Sequence, residues 1–247
     1  MPLVLREARD TLVPDMGGPH GPLPPVMLVL TVLTGLVDAF SYLLLGHVFV
    51  ANMTGNVVFM GFALTGAAGF STLAATVALA SFGAGALAGG ITAHRARAHR
   101  GRQLHHTLLV ETAFVTAAMI VALVSGGPYA GGARFTLIVL LGLGLGVQNA
   151  AVRVFGVPDL TTTVLTRTLT ATVADSRLAQ GPGSRAGRRL LSAGALLAGA
   201  FIGALLLLNG HPALPLVLAV ALLAVLCTAA TLLARSDAPW TRPRDEA

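Results

Sequence analysis

Six long apolar runs recur along the chain, and they constrain its fold more than any other feature. They cover approximately residues 26–46, 69–93, 104–125, 134–153, 190–208 and 213–234. As a helix, each run would span about 30 Å, which is the thickness of the hydrocarbon core of a bilayer. Hydrophobic residues make up 55% of the chain and charged residues only 11%, which excludes an ordinary soluble domain. We therefore predict an all-α membrane protein with six transmembrane helices.

Two shorter segments, 48–61 and 159–170, interrupt this pattern with polar residues at matching positions of the two halves of the chain. Their helical parts, 54–66 and 161–174, would reach only about 20 Å, which is too short to cross a bilayer. Paired, polar-interrupted segments of this kind indicate a transport-type site near the bilayer midplane. We predict two broken or re-entrant half-helices.

All basic residues are arginines, and they cluster in short segments between the apolar runs. The clusters are Arg95, Arg97, Arg100 and Arg102, then Arg177, Arg185, Arg188 and Arg189, then Arg235, Arg242 and Arg244. If both short segments re-enter without crossing, all three clusters and both termini lie on one side, which the positive-inside rule makes cytoplasmic. Eight crossings would instead place 94–102 outside. This topology also explains the arginines better than nucleic-acid binding does.

Three crossings in each half make the two halves an inverted repeat. Residues 35–39 align with residues 146–150, although chance matching of small residues in Ala/Gly-rich helices is the alternative. Small residues at four-residue spacing, such as Gly85 and Gly89, predict close helix crossings.

The chain is predicted to contain a single membrane domain, residues 26–234, with repeat halves of about 26–125 and 134–234. Six prolines in residues 1–25 indicate a disordered N-terminal tail rather than a helix. The polar residues 235–247 predict a disordered C-terminal tail.

Asp38 lies well inside the first apolar run, where a carboxylate costs about 2.5–3.5 kcal/mol. Its aligned mate in the second half is Asn149. Both are predicted to face a solute pathway, since intramembrane acids usually face a cavity; an interhelical hydrogen bond that fixes packing is the alternative. Glu111 lies two turns into the third run, where it can reach the cytoplasmic interface.

Four residues interrupt the first short segment and would lie at the tip of its half-helix: Asn52, Thr54, Gly55 and Asn56. The positive end of a helix favours an anion or a carbonyl group. Because every freed backbone group in hydrocarbon needs a partner, the break indicates a polar interior. We predict that these residues contribute to the solute pathway; side-chain capping of the helix is the alternative.

In the second half-helix, Thr163, Thr166 and Arg167 are the predicted pathway residues. A cation deep in a half-helix needs a partner. Its candidate partners are Asp38 across the repeat and Asp159 or Asp175 nearby.

These features predict a channel or secondary transporter for a small polar solute or anion, with its site where the two tips meet. A structural or assembly protein without a solute is the alternative. A membrane enzyme is less favoured, because the sequence has no H-E-x-x-H, no G-x-S-x-G and no paired-carboxylate motif. We expect no catalytic residues, metal or cofactor. The bilayer is the expected partner, a second copy of the chain is a candidate, and nucleic acid is not expected.

The run G-L-V-D-A-F-S-Y-L-L-L-G-H-V-F-V-A-N-M-T-G-N-V-V, residues 35–58, resembles the signature of the YoaK family of bacterial membrane proteins. The later G-V-Q-N-A-A-V-R, followed by V-P-D-L-T-T-T-V-L-T, resembles that family's second conserved block. The resemblance covers roughly residues 26–234 and implies a multi-pass protein of the bacterial inner membrane. The family pattern has an apolar residue where this chain has Arg167, so any role of Arg167 would be particular to this chain.

Overall fold

The computed structural model describes residues 3–95, 98–158, 160, 170 and 186–242. Within these residues the chain forms eight α-helices and one short 3-10 helix, Pro239–Thr241. The α-helices are α1 (Leu3–Leu12), α2 (Leu23–Leu44), α3 (Met53–Leu64), α4 (Thr72–Arg95), α5 (Arg100–Ser125), α6 (Gly131–Phe155), α7 (Ala186–Leu208) and α8 (Leu214–Leu233).

Six of these helices, α2 and α4 to α8, are long and apolar enough to cross a membrane. Each coincides with one predicted span to within about one helical turn, so the prediction of six transmembrane helices is confirmed. The short helix α3 has 12 residues and matches the first predicted half-helix. The second predicted half-helix, 161–174, lies outside the described residues except for Thr170.

Glycines set the closest helix contacts. α2 packs mainly against α7, and α6 packs mainly against α4. A Cβ atom added at Gly35 would collide with the Leu196 carbonyl oxygen of α7, and one added at Gly146 would collide with the Phe82 carbonyl oxygen of α4. These two crossings therefore confirm the prediction that small residues allow close helix packing.

The surface of the bundle is apolar where it would face lipid. Leu197 of α7 is 70% exposed, Val225 of α8 68% and Leu87 of α4 67%. In water such exposed apolar side chains would promote aggregation, whereas in a bilayer they contact acyl chains at no cost in free energy. The interior, formed by α2, α5 and α6 together with one face of α8, is also apolar and closely packed. Both faces of these helices are thus explained by a membrane location.

The N-terminal segment differs from the predicted disordered tail, because Leu3–Leu12 forms a helix. Apart from Pro2, the prolines begin after this helix ends, and Pro24 occupies the first turn of α2, where its missing N–H is not needed. α1 packs on the start of α7, where the Glu7 carboxylate accepts the Gly187 N–H at 3.0 Å. This contact satisfies one of the free donors at the N-terminus of α7.

The described residues of the C-terminal segment, up to residue 242, pack against the bundle and do not form the predicted tail. Trp240 is 1% exposed and lies against Gly21. The Arg100 guanidinium donates to the carbonyl oxygens of Pro19 at 3.0 Å, Trp240 at 3.3 Å and Phe155 at 2.5 Å. These bonds bring together the segment before α2, the segment after α8, the start of α5 and the end of α6. We call this end of the bundle the arginine-rich end.

Candidate functional site

Asp38 lies inside the membrane domain and meets the N-terminal tip of α3. It is 5% exposed and lies six residues before the end of α2, about 9 Å along the helix. Its Oδ1 accepts the Ala51 N–H at 3.3 Å, and its Oδ2 accepts the Asn52 Nδ2–H at 2.5 Å. Since α3 begins at Met53, the carboxylate lies at the positive end of the α3 dipole, which stabilises a negative charge.

Asn56 holds α3 to the segment that leads into it. Its side chain is fully buried; Oδ1 accepts the Phe49 N–H at 2.9 Å, and Nδ2 donates to the Phe49 carbonyl at 2.6 Å. Phe49 lies in an irregular segment, so its backbone groups have no helical partners. Unpaired backbone groups are costly within a membrane. Asn56 therefore serves as a brace for the backbone.

The two ends of segment 45–71, which contains α3, lie next to each other. His47 Nδ1 and the Gly69 carbonyl oxygen are 2.9 Å apart, a hydrogen bond that joins the residues after α2 to those before α4. A cluster of aromatic rings fills the segment: Tyr42, Phe49, Phe59, Phe62 and Phe70, with centroid separations of 4.9 Å for Tyr42–Phe49 and 5.2 Å for Phe59–Phe70. Such ring contacts add to the burial energy and fix the segment's shape.

A cleft of about 300 Å³ opens beside Asp38, between α2, α7 and the residues that precede α3. Its polar lining consists of Asp38, Asn52 and Tyr42, and its other lining residues are apolar or glycine. Ala200 and Ala204 of α7 form part of its opposite wall. A small, mostly apolar cavity with a few convergent polar groups is typical of a small-molecule site.

The other predicted residues of the first tip have different positions. Thr54 is exposed and makes no hydrogen bond to any described residue. Gly55 lies under the Phe49 ring, which a Cβ atom would meet at 2.8 Å. Capping is not the role of Asn52, because α3 has no side-chain cap and Asn52 bonds to Asp38 instead. The structure thus brings Asp38, Asn52 and Asn56 to one tip, with Asn56 acting on the backbone.

In the second half, Asn149 is half-buried, and its Nδ2 donates to the Leu145 carbonyl at 2.9 Å. Asn149 also has a further polar interaction. The pathway residues predicted for the second half-helix lie outside the described residues, and so does the predicted pairing of Arg167 with Asp38, Asp159 or Asp175. The residues outside are Thr163, Thr166, Arg167, Asp159 and Asp175.

Two buried polar residues were not predicted as part of the site. Gln148 of α6 is fully buried, and its Nε2 donates to Thr34 Oγ1 of α2 at 3.1 Å. Glu111 is also fully buried, near the middle of α5, so the expectation that it reaches the cytoplasmic interface is wrong. The only sequence signal for Glu111 was an acid inside an apolar run.

Among the described residues, no three His, Cys, Asp or Glu side chains lie together in a way that could hold a metal ion. The histidines lie at helix ends and in loops, where His47, His94 and His99 each contact a backbone carbonyl oxygen.

Six long apolar helices, each able to cross a membrane, define a multi-pass helical membrane protein. Residues 26–229 match the family described as "protein of unknown function (DUF1275)", and the chain belongs to this family. It is similar to UPF0700 transmembrane protein YoaK of Bacillus subtilis (strain 168), with 28% identity over 150 residues, which is 61% of this chain. The matched region spans 65% of the length of that relative. No solved structure matches the chain. The resemblance to the YoaK family is confirmed.

Proposed function

We propose that this chain is a secondary transporter or channel for a small polar solute, with Asp38 as the group that meets the solute. The observation that supports this most strongly is the position of Asp38. Its carboxylate is held by the tip of a helix that begins inside the membrane domain, and it lines a cleft of about 300 Å³. Intramembrane acids and the tips of broken helices are recurrent solute sites in transporters.

The charge at the tip favours a cation or a neutral solute with N–H or O–H donors over an anion. The positive end of α3 already faces the Asp38 carboxylate, so a bound anion would meet a like charge. A solute donor could replace the Asn52 amide as a partner of Asp38. The size of the cleft, at the lower end of small-molecule sites, favours a small solute.

We further propose that α3 re-enters, so that segment 45–71 enters and leaves the membrane on the same side. The His47–Gly69 contact supports this, because it joins the end of α2 to the start of α4. The Arg100 contacts support it independently: with α3 re-entrant, all the segments that Arg100 joins lie on one side. By the positive-inside rule, this side is the cytoplasmic side of a bacterial inner membrane, and both termini lie on it.

The helix packing supports an inverted repeat in which α2, α4 and α5 correspond to α6, α7 and α8. Gly35 of α2 approaches the backbone of residues 196–200, and the aligned Gly146 of α6 approaches residues 82–86. The reciprocal contacts are Gly199 with Val32 and Gly85 with Leu143. α5 packs against its own counterpart, α8. A twofold relation between the halves predicts all three pairings.

Site-directed labelling tests this topology. Single cysteines at Val13, Ala67, Ala98 and Ala130 in a Cys227→Ala background occupy exposed positions outside the crossing helices. We expect Val13 and Ala98 to react with an impermeant reagent from one side, and Ala67 and Ala130 from the other. If α3 crosses, Val13 and Ala98 will react from opposite sides.

Uptake into liposomes containing the purified full chain tests the transport function. The panel consists of alkali cations, small amines, guanidinium, urea and small polyols. We expect at least one solute to enter faster than into empty liposomes. Asp38→Asn should slow this uptake by about 10- to 100-fold, because a hydrogen bond to a charged group contributes about 1.5–3 kcal/mol. The matched control is Thr31→Val, a buried α2 position outside the cleft that bonds only to its own helix. Equal rates for Asp38→Asn and the wild type would contradict the proposed site.

The second candidate is a structural or assembly role without a solute. It is favoured by the fact that Asp38, Asn52 and Asn56 all have partners within the chain. Under this role no solute of the panel enters, and Asp38→Asn affects only stability. We propose that the chain has no catalytic activity.

A further inference from the structure

Glu111 is a buried acid whose environment does not match an ionised carboxylate. It is 0% exposed, and neither of its carboxylate oxygens has a hydrogen-bond partner among the described residues. It is the twelfth of 26 residues in α5, about 16 Å from the start of that helix and about two turns inside the apolar run that begins near residue 104. Burying an isolated carboxylate costs far more free energy than burying a protonated acid.

A row of buried polar residues leads to Glu111 from the arginine-rich end. Gln103, Thr107 and Glu111 follow one another at four-residue spacing, so they lie on one face of α5. All three are buried, and Gln103 Nε2 has no hydrogen-bond partner among the described residues. Buried helix positions are usually occupied by apolar side chains, so packing alone does not explain three buried polar residues on one face of α5.

Gln148 and Thr34 extend the row towards Asp38. α5 and α6 are antiparallel neighbours, and Gly144 of α6 lies beside the Glu111 carbonyl. The next turn of α6 carries Gln148, which therefore lies beside the turn of α5 between Thr107 and Glu111. Gln148 Nε2 donates to Thr34 Oγ1, and Thr34 is one turn from Asp38 on α2. Gln148 and Thr34 therefore place buried polar groups on α6 and α2, the helices that lie between α5 and the cleft.

A proton on Glu111 would supply the donor that the Glu111 end of this row lacks, where the atoms without partners are all acceptors. Gln148 Oε1 is a buried acceptor without a partner, and Glu111 as a carboxylate adds two more acceptors. As a carboxylic acid, Glu111 has one O–H, and an O–H is the kind of donor that Gln148 Oε1 lacks. A neutral acid therefore fits this buried row, and a carboxylate does not.

No cation lies at the level of Glu111 on the described elements that pack against α5, which are α4, α6, α8 and the 3-10 helix Pro239–Thr241. The ionisable side chains on α6 are Arg134 and Arg153, each about 14 Å along the helix from Gly144. α8 contributes Cys227, which contacts the neighbouring Thr112 at 3.3 Å. The remaining ionisable groups on these elements lie near the arginine-rich end: His94 and Arg95 of α4, and Arg100, Arg102, His105 and His106 of α5 itself.

We propose that Glu111 is a proton-binding site, that Gln103 and Thr107 form its access from the arginine-rich end, and that its titration is coupled to the solute site at Asp38. In the described state the O–H bond of Glu111 is intact. In a second state that bond breaks, the electron pair stays on the carboxylate and the proton passes to water at the arginine-rich end. The coupling rests on the proposed transport function, whereas the proton site does not.

Infrared spectroscopy of the reconstituted full chain tests the proton site without any solute. The wild type should show the carbonyl stretch of a protonated carboxylic acid, which shifts in deuterium oxide and disappears at alkaline pH. Glu111→Gln should lose this band, and Asp38→Asn should retain it. A band that is absent from the wild type, or unchanged in Glu111→Gln, overturns the proposal.

The access row is tested by the rate of deuterium exchange at that band. Thr107→Val should slow the exchange, whereas Thr112→Val is a matched control, because Thr112 bonds to its own helix and contacts α8. Equal exchange rates in the two variants overturn the assigned access.

Coupling is measured as solute uptake driven by a pH gradient. Glu111→Gln should retain uptake down the solute gradient and lose the acceleration by the pH gradient. If the infrared band behaves as expected but no solute enters, the transport function fails and the proton site stands. If uptake in Glu111→Gln still responds to the pH gradient, the coupling is overturned.

Discussion

Replacing Asn56 by leucine tests whether this residue is a structural brace or a solute ligand. The substitution keeps the approximate volume but removes both bonds to the Phe49 backbone, at 2.9 and 2.6 Å. A buried backbone group left without a partner costs about 1–3 kcal/mol, so two such groups cost about 2–6 kcal/mol. The buried leucine offsets little of this cost, because detergent and lipid tails are as apolar as leucine. We expect a loss of about 2–6 kcal/mol in the free energy of unfolding.

Thermal unfolding in detergent measures this loss, and Cys227 provides the probe. It is the only cysteine and is half-buried in α8, so a thiol-reactive dye reports when the bundle opens. Thr54→Val is the matched control, because Thr54 is exposed on the same tip and bonds to no described residue. It should change stability by less than about 0.5 kcal/mol. If Asn56→Leu unfolds like the wild type yet abolishes solute uptake, the brace is refuted and Asn56 is a pathway residue.

Three further predictions concern other parts of the fold. Gly85→Ala should destabilise the bundle by about 1–3 kcal/mol, because its Cβ collides with the facing helix. Gly83→Ala, where the added Cβ meets no other atom within 4 Å, should be neutral or stabilising by up to about 1 kcal/mol in the same unfolding assay. Arg100→Gln should release the C-terminal segment, because it removes the hydrogen bond to the Trp240 carbonyl oxygen. The release is measured as a red shift in the fluorescence of Trp240, the only tryptophan, and an unchanged spectrum contradicts this role of Arg100. Burial raises the pKa of Tyr129 above its usual value. The neutral phenol of Tyr129 therefore stabilises the fold below a pH of about 10, and this stabilisation is lost as the pH rises further. Tyr129→Phe should reduce the loss of thermal stability at alkaline pH.

The membrane helices could be predicted from the sequence because hydrophobicity over about 20 residues is a local property. The short helix α3 could be predicted for the same reason, since polar residues interrupt its apolar run. The terminal segments could not be predicted this way. α1 is held by Glu7 on a helix that begins about 180 residues later, and Trp240 docks on Gly21. Contacts between such distant residues leave no local pattern.

The site could be predicted in part. Asp38 and Asn52 were expected in one site, and the structure joins them directly. Their roles depend on side-chain direction, which residue type does not encode: Asn52 bonds to an acid instead of capping a helix. Glu111 was expected to reach the interface, because neither its burial nor its missing partners can be inferred from sequence position.

On the proposed repeat, matched positions with the same residue type explain the scaffold, and mismatched positions indicate function. Gly35 and Gly146 are both glycine because both crossings need close backbone contact. Asp38 and Asn149 occupy equivalent places, yet only one carries an acid, so packing does not require a charge there. A costly intramembrane acid that the scaffold does not need is best explained by what it binds. The same reasoning applies to Glu111, because α8, the proposed counterpart of α5, contains no acidic residue. The two acids that break the repeat are therefore the positions at which substitution should change function more than fold.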